Sequence, residues 1–171
     1  MQRLARPLAP VCVVCALVMP ACTGHEDPGD PGLLVGEERA TSDEASLVRI
    51  ALERALVDRM IPDHSLLVSA QPIVLSSENI EAGWVPELDG VSLVLRTAEE
   101  IQARADGEGD FLYLRFGTLR VEGDEASLTL ENRWAVAADS PHVYLSGGGF
   151  RMEFRRTPFG WTGEITVAWI S

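Results

Sequence analysis

Apolar residues recur at spacings of three and four at Leu47, Val48, Ala51, Leu52, Ala55 and Leu56. That spacing gathers them on one broad face of a helix, which must pack against something, most simply a sheet. Thr41 and Glu44 stand ahead of it at capping-box spacing, so the helix is expected from Thr41 through Met60, with Pro62 as its stop. After Asp110 the period drops to two. Leu128, Leu130, Asn132, Trp134 and Val136 alternate with Ser127, Thr129, Glu131 and Arg133, and Phe150, Met152 and Phe154 alternate with Arg151, Glu153 and Arg155. Ile165, Val167 and Trp169 continue the apolar face against Thr162, Glu164 and Thr166. Strict alternation separated by short turn signals predicts four antiparallel strands in a meander, one face core and the other wet.

Between helix and meander lie two similar pieces, IVLSSENI (Ile73 to Ile80) and LVLRTAEEI (Leu93 to Ile101), each a β-rich run leading into a short capped segment. Thr97 and Glu100 again have capping-box spacing, which predicts a short helix from Ala98 to about Arg104. The loop between them, with Gly83, Pro86 and Gly90, is expected to turn and to fold Trp84 back over the core. The fold class is therefore α+β, with a leading helix on a curled, mainly antiparallel sheet.

The first 40 residues have a different character. Arg3 and Arg6 precede an uncharged apolar run from Leu8 to Met19, closed by Pro20, Ala21 and Cys22. The run is shorter than the roughly 20 residues that span a bilayer, so residues 1–21 read as a secretory signal. Ala21 directly before Cys22 resembles a bacterial lipobox, with Met19 where leucine is usual and Pro20 where a small residue is usual. That resemblance implies cleavage before Cys22, its acylation with palmitate-type chains, and anchoring of a lipoprotein in the cell envelope, facing periplasm or exterior. A plain signal peptide cut nearby is the alternative. Cys12 and Cys15 would leave with the signal, so one cysteine would remain and no internal disulfide is expected. Residues 23–40 contain two Asp-Pro-Gly triplets at Asp27 and Asp30, which predicts a disordered tether, and residues 41–171 form a single domain.

Charge narrows the partners. The formal net charge is -12, all 14 basic residues are arginine, and loss of Arg3 and Arg6 with the signal leaves -14. Dispersed arginines in so acidic a chain build no stripe for phosphate backbones, so nucleic acid is not an expected partner. The expected partners are the membrane, through the lipid, and a small apolar ligand or a protein.

Candidate chemistry is sparse. Gly147, Gly148 and Gly149 follow Ser146, but a phosphate loop needs a helix after its glycines and here a strand pattern follows. They are expected to bend a strand, with at least one at positive φ. No Walker or dinucleotide glycine pattern is present, so no cofactor is expected, and His25, Glu26, Asp27 and Asp30 lie in too flexible a setting to preorganise a metal. His64 beside Asp63, and His142 near Asp139 and Ser146, can be drawn as a triad, but the second group reads first as a turn between strands. No catalytic residue is assigned. Asn132, polar on an otherwise apolar face, must be hydrogen-bonded to backbone or point into a pocket, with Tyr113, Arg115 and Trp134 as its candidate companions.

Over residues 41–171 the element order resembles the cone-shaped nuclear transport factor 2-like and cystatin-like superfamilies. DFLYLRF, YLSGGG and the closing hairpin from Gly160-Trp161 to Trp169-Ile170-Ser171 resemble uncharacterised bacterial domains that end this way. The resemblance implies a non-catalytic binding or interaction domain. Alternatives are a steroid-isomerase or polyketide-cyclase type enzyme, which needs an acid or base and a tyrosine deep in the cone, and a purely structural envelope lipoprotein.

Overall fold

The computed structural model describes residues 42–144 and 147–170. The expected signal at 1–21, Cys22 and the expected tether at 23–40 lie outside them. The first helix, α1, spans Asp43–Leu52 and continues as a wider turn over Glu53–Val57. Its cap is Ser42, whose hydroxyl accepts the Ala45 N–H at 3.2 Å, so the capping position is one residue later than Thr41. The helix also ends before Met60. Arg59 turns left-handed at φ 60°, and the Met60 N–H donates back to the Arg54 carbonyl, closing the helix upstream of Pro62.

A second helix, α2, His64–Ser69, follows Asp63 at φ 53°; six residues are too few for a periodicity to reveal. Strands β1 (Ile73–Ser76) and β2 (Leu93–Arg96) are the two β-rich runs. Only the second leads into a helix, α3 (Ala98–Glu108), which is four residues longer than expected. Thr97 and Glu100 make the full capping box at its start. After β1 the chain instead turns at Asn79 (φ 62°), whose side-chain amide donates to the Phe116 carbonyl.

Strands β3 (Phe111–Glu122), β4 (Glu125–Ala135), β5 (Gly148–Thr157) and β6 (Gly160–Ile170) form the antiparallel meander. The single six-stranded sheet runs β2-β1-β3-β4-β5-β6, with β1 parallel to both neighbours. Parallel pairing follows from the connections, since each of β1 to β2 and β2 to β3 has a crossover long enough to return the chain to the same end. The α+β class holds, with a parallel flank beside the expected meander.

One face of the sheet carries the main core. Leu47, Leu52, Leu114, Phe116, Phe150 and Met152 are completely or almost completely buried there. Each such side chain contributes roughly 1.5–3 kcal/mol of transfer free energy. Trp84, Trp134 and Trp161 pack against the same cluster half-buried. Among the described residues the opposite face is covered by α3, whose Ile101 and Ala105 meet Val74, Phe111 and Ala135.

The last strand departs from its sequence pattern. Met152 pairs with Ile165 but Arg151 pairs with Val167, an extra residue that flips everything after it to the other side. Val167 and Trp169 therefore leave the core face that Ile165 occupies, and Val167 is 53% exposed.

At Gly148 and Gly149 the positive φ that suits glycine is not what the structure uses. Neither Gly148 nor Gly149 has a left-handed φ, and the two register shifts lie at Phe116/Leu119 and Arg151/Met152. Close approach is what requires them. A Cβ on Gly149 would stand 2.5 Å from the Leu130 carbonyl and 2.9 Å from the Trp169 ring, and one on Gly148 would stand 2.6 Å from the Trp169 carbonyl. Trp169 lies opposite Gly149 and Phe154 lies opposite Gly163, so each of these glycines is covered by an aromatic ring across the strand pair.

Candidate functional site

The four candidate pocket residues do not converge. Leu114 pairs with Asn132 and Arg115 with Glu131, so alternation puts Arg115 and Tyr113 on the α3 face and Asn132 on the main-core face. Asn132 is 1% exposed, and its Nδ2 donates to the Pro62 carbonyl at 2.5 Å. It clamps the turn between α1 and α2 against the sheet. Gly148, its partner on β5, sits with the Pro62 ring 2.9 Å from where a Cβ would be. Asn132 and Gly148 thus form one junction, a buried donor for the Pro62 carbonyl beside a position with no room for a side chain. The other amide atom, Oδ1, has no hydrogen-bond partner among the described residues.

Tyr113, Arg115 and Trp134 line a cleft of about 390 Å³ between α3 and the sheet, together with Ser76, Glu78 and Gln102. Each element supplies its residue for a local reason. Ser76 is the buried polar end of β1, and its hydroxyl accepts the Glu78 N–H at 3.2 Å, which starts the turn that brings Glu78 over the cleft. Gln102 ties α3 down by donating to the Val136 carbonyl at 3.0 Å and to Asp106 at 2.9 Å. Arg115 Nε lies 3.1 Å from a Glu78 carboxylate oxygen, close enough for charge attraction, yet its N–H is not aimed there and has no hydrogen-bond acceptor among the described residues. The cleft therefore holds a charged donor, ion-paired with Glu78, whose Nε hydrogen-bonding capacity is unused among the described residues. Ser76, Glu78 and Gln102 carry no signal in the sequence, because the all-buried run of β1 gives no parity to read.

Trp134 also faces a second cluster. Its ring stacks on Tyr144 at 3.9 Å between centroids and 11° between planes. The Tyr144 hydroxyl bonds to Asp110, which also accepts the Ser140 hydroxyl at 2.6 Å and the Ala137 N–H at 2.7 Å. The Ser140 bond first and the Ala137 bond second hold the Asp110 carboxyl below the usual carboxylate range. Burial, then the Asp110 bond, pushes the Tyr144 phenol up. Asp110 fastens the turn after β4 to the start of β3. Ser140 hydrogen-bonds a carboxylate here, with no imidazole as base: His142 reaches it through its backbone N–H alone, at 3.2 Å. His64 bonds the Leu56 carbonyl through Nε2 at 3.0 Å. Ser146 lies outside the described residues, and Asp139 is exposed.

At the far end of the core, Asp43 binds Arg156 through one carboxylate oxygen and accepts the Trp161 indole N–H at 3.0 Å through the other. The Arg156 guanidinium lies over the Trp161 ring at 4.4 Å. Those bonds, Arg156 first, hold the Asp43 carboxyl below its ordinary value. The cluster pins the start of α1 to the β5–β6 hairpin.

Compared with family models, curated proteins and solved structures, the chain matches none. Among the described residues no three His, Cys, Asp or Glu side chains gather as metal ligands, and no helix is long and apolar enough to cross a membrane.

Proposed function

We propose that this is a non-catalytic binding domain of an exported protein, held in the bacterial cell envelope through acylated Cys22. Its ligand site is the cleft under α3, and the ligand is a small molecule bearing an anionic or hydrogen-bond-accepting oxygen. The observation that carries this reading is Arg115, a partly exposed side chain beside Glu78 whose buried Nε has no hydrogen-bond acceptor among the described residues, in a cleft whose other polar groups are Ser76, Tyr113 and Gln102. A ligand oxygen supplies the missing acceptor. The main-core face favours no cone-shaped pocket, because large apolar side chains fill it and Asn132 is spent on Pro62. In fold, we propose a distant variant of the nuclear transport factor 2-like and cystatin-like cones. A leading helix against an antiparallel meander supports this, with β1 and β2 as an added parallel flank.

Native mass spectrometry of the protein purified from its own envelope tests both halves. The expected result is a mature mass beginning at acylated Cys22, with a small bound mass that Arg115→Met loses and wild type keeps. An unmodified terminus elsewhere would overturn the anchor. A wild-type protein carrying no small molecule, or one retained equally by the variant, would overturn the site.

A further inference from the structure

The sheet has two edges of unequal exposure. Strand β2 offers four residues, whereas β6 offers eleven, and among the described residues no strand lies beyond it. A long edge presents a row of unpaired backbone donors and acceptors, and proteins commonly blunt such edges with lysine, proline or shortness. From Gly160 to Ile170 the strand contains no lysine, arginine or proline. Its only charged side chain is Glu164.

Two clefts flank this edge, one on each face, and both meet it at Thr162 and Gly163. The first, about 740 Å³, lies between β6 and α1 and is walled by Ile50, Val57, Leu88 and Trp161. The second, about 510 Å³, lies on the outer face beside Phe154, Glu153 and Glu164. Gly163 keeps the strand narrow between them. Both have a surplus of negative charge. In the first cleft Arg49 and Arg54 are matched by Glu53 at 3.7 Å and Asp58 at 2.8 Å, while Glu87 and Asp89 make no ion pair among the described residues. In the second, Arg155 lies 3.9 Å from Glu125, Glu153 lies 2.7 Å from Arg151, and Glu164 has no such partner. Farther along the strand Val167 and Ile170 are 53% and 78% exposed.

We infer that β6 is a docking edge for an extended, cationic segment of another protein, which adds as a seventh strand. Side chains of an added strand alternate between the faces, so adjacent Lys or Arg residues enter the two clefts in turn, toward Glu87 and Asp89 on one side and Glu164 on the other. An apolar residue of the same segment covers Val167 or Ile170. The charge pattern selects this occupant over a second copy of the chain, whose own β6 would bring another Glu164 against two acidic clefts and no cation. The surface shares no residue with the α3 cleft, so it stands or falls separately from the ligand reading.

The test uses the full chain and a synthetic ten-residue peptide of alternating Val and Thr with two adjacent lysines, read by fluorescence anisotropy and backbone hydrogen exchange. The expected results are binding that weakens with added salt, slowed exchange in 161–169, and an affinity loss of about tenfold or more in Glu87→Lys/Asp89→Lys/Glu164→Lys at unchanged melting temperature. Replacing the peptide lysines with glutamates should abolish binding. The inference is overturned by no binding, by binding without protection of β6, or by binding that the triple variant retains. It is also overturned if the protein alone self-associates with β6 protected, which would make the occupant a second copy.

Discussion

The two flanks of the sheet obey different rules. The parallel flank, β2-β1-β3, has α2 against β3 on one face and α3 on the other, and all four residues of β1 are buried. The open flank, β4 to β6, packs α1 on its inner face and exposes its outer face, and β4 alternates buried and half-exposed positions from Ala126 to Asn132. A strand wet on one face displays its orientation in the sequence; a strand dry on both faces hides it. The covered flank holds a cleft with a buried Arg115 Nε that lacks a hydrogen-bond acceptor among the described residues, and the open flank ends in the long strand β6. The proposed ligand cleft thus lies under α3 over β1, β3 and β4, and the proposed docking edge at β6.

The sharpest way to break this contrast is to show that the open flank is loosely packed. Its β5–β6 pair is instead close-packed enough to exclude a methyl group at Gly149, with backbone as the obstacle. Gly149→Ala should cost on the order of 3 kcal/mol, and Gly148→Ala a similar amount, measured by denaturant unfolding. Gly107, with open space around it in α3, should gain or stay neutral as alanine. Equal effects at Gly107 and Gly149 would remove the close-approach account.

Asn132 sits where the flanks join, and its amide is the buried donor to Pro62. Asn132→Ala should cost about 1–3 kcal/mol by leaving that carbonyl unpaired, with little change in the α3 cleft on the opposite face. A smaller effect belongs to the covered flank alone. Thr97→Ala removes one half of the capping box and should cost about 1 kcal/mol, loosening α3 and the cleft it walls.

The last effect depends on pH. Asp110 has a folded pKa below its unfolded one because of Ser140 and Ala137, so its contribution is present above the unfolded pKa of about 4 and fades as pH falls through the folded value. Melting temperature should drop on that acid limb, and Asp110→Asn should flatten the drop. An unchanged acid limb in Asp110→Asn would show that the turn after β4 is held some other way.

Legibility followed the same division. Alternation in the sequence locates the four strands of the meander, and the Thr97/Glu100 box locates α3, because water on one face and a capping side chain leave local marks. The bulge at Arg151/Met152 leaves none, so Val167 and Trp169 read as core until the register is known. Glycine identity pointed to φ, but the requirement at Gly148 and Gly149 comes from Trp169, Leu130 and Pro62, which are distant in sequence. Arg115 and Asn132 looked like companions because they lie on adjacent strands; the pairing of Leu114 with Asn132 puts them on opposite faces. Asp110 and Ser140 meet across a separation that no spacing rule spans.

The central claim is that the covered flank, at α3 and Arg115, is where a small molecule binds. Hydrogen exchange on the protein as isolated from its envelope, compared with the same protein after its bound small molecules are stripped, tests it directly. The account predicts that stripping speeds exchange in 98–104 and 111–116 and leaves 150–156 unchanged. Identical exchange in α3 and β3 before and after stripping, or a change confined to the open flank, would contradict it.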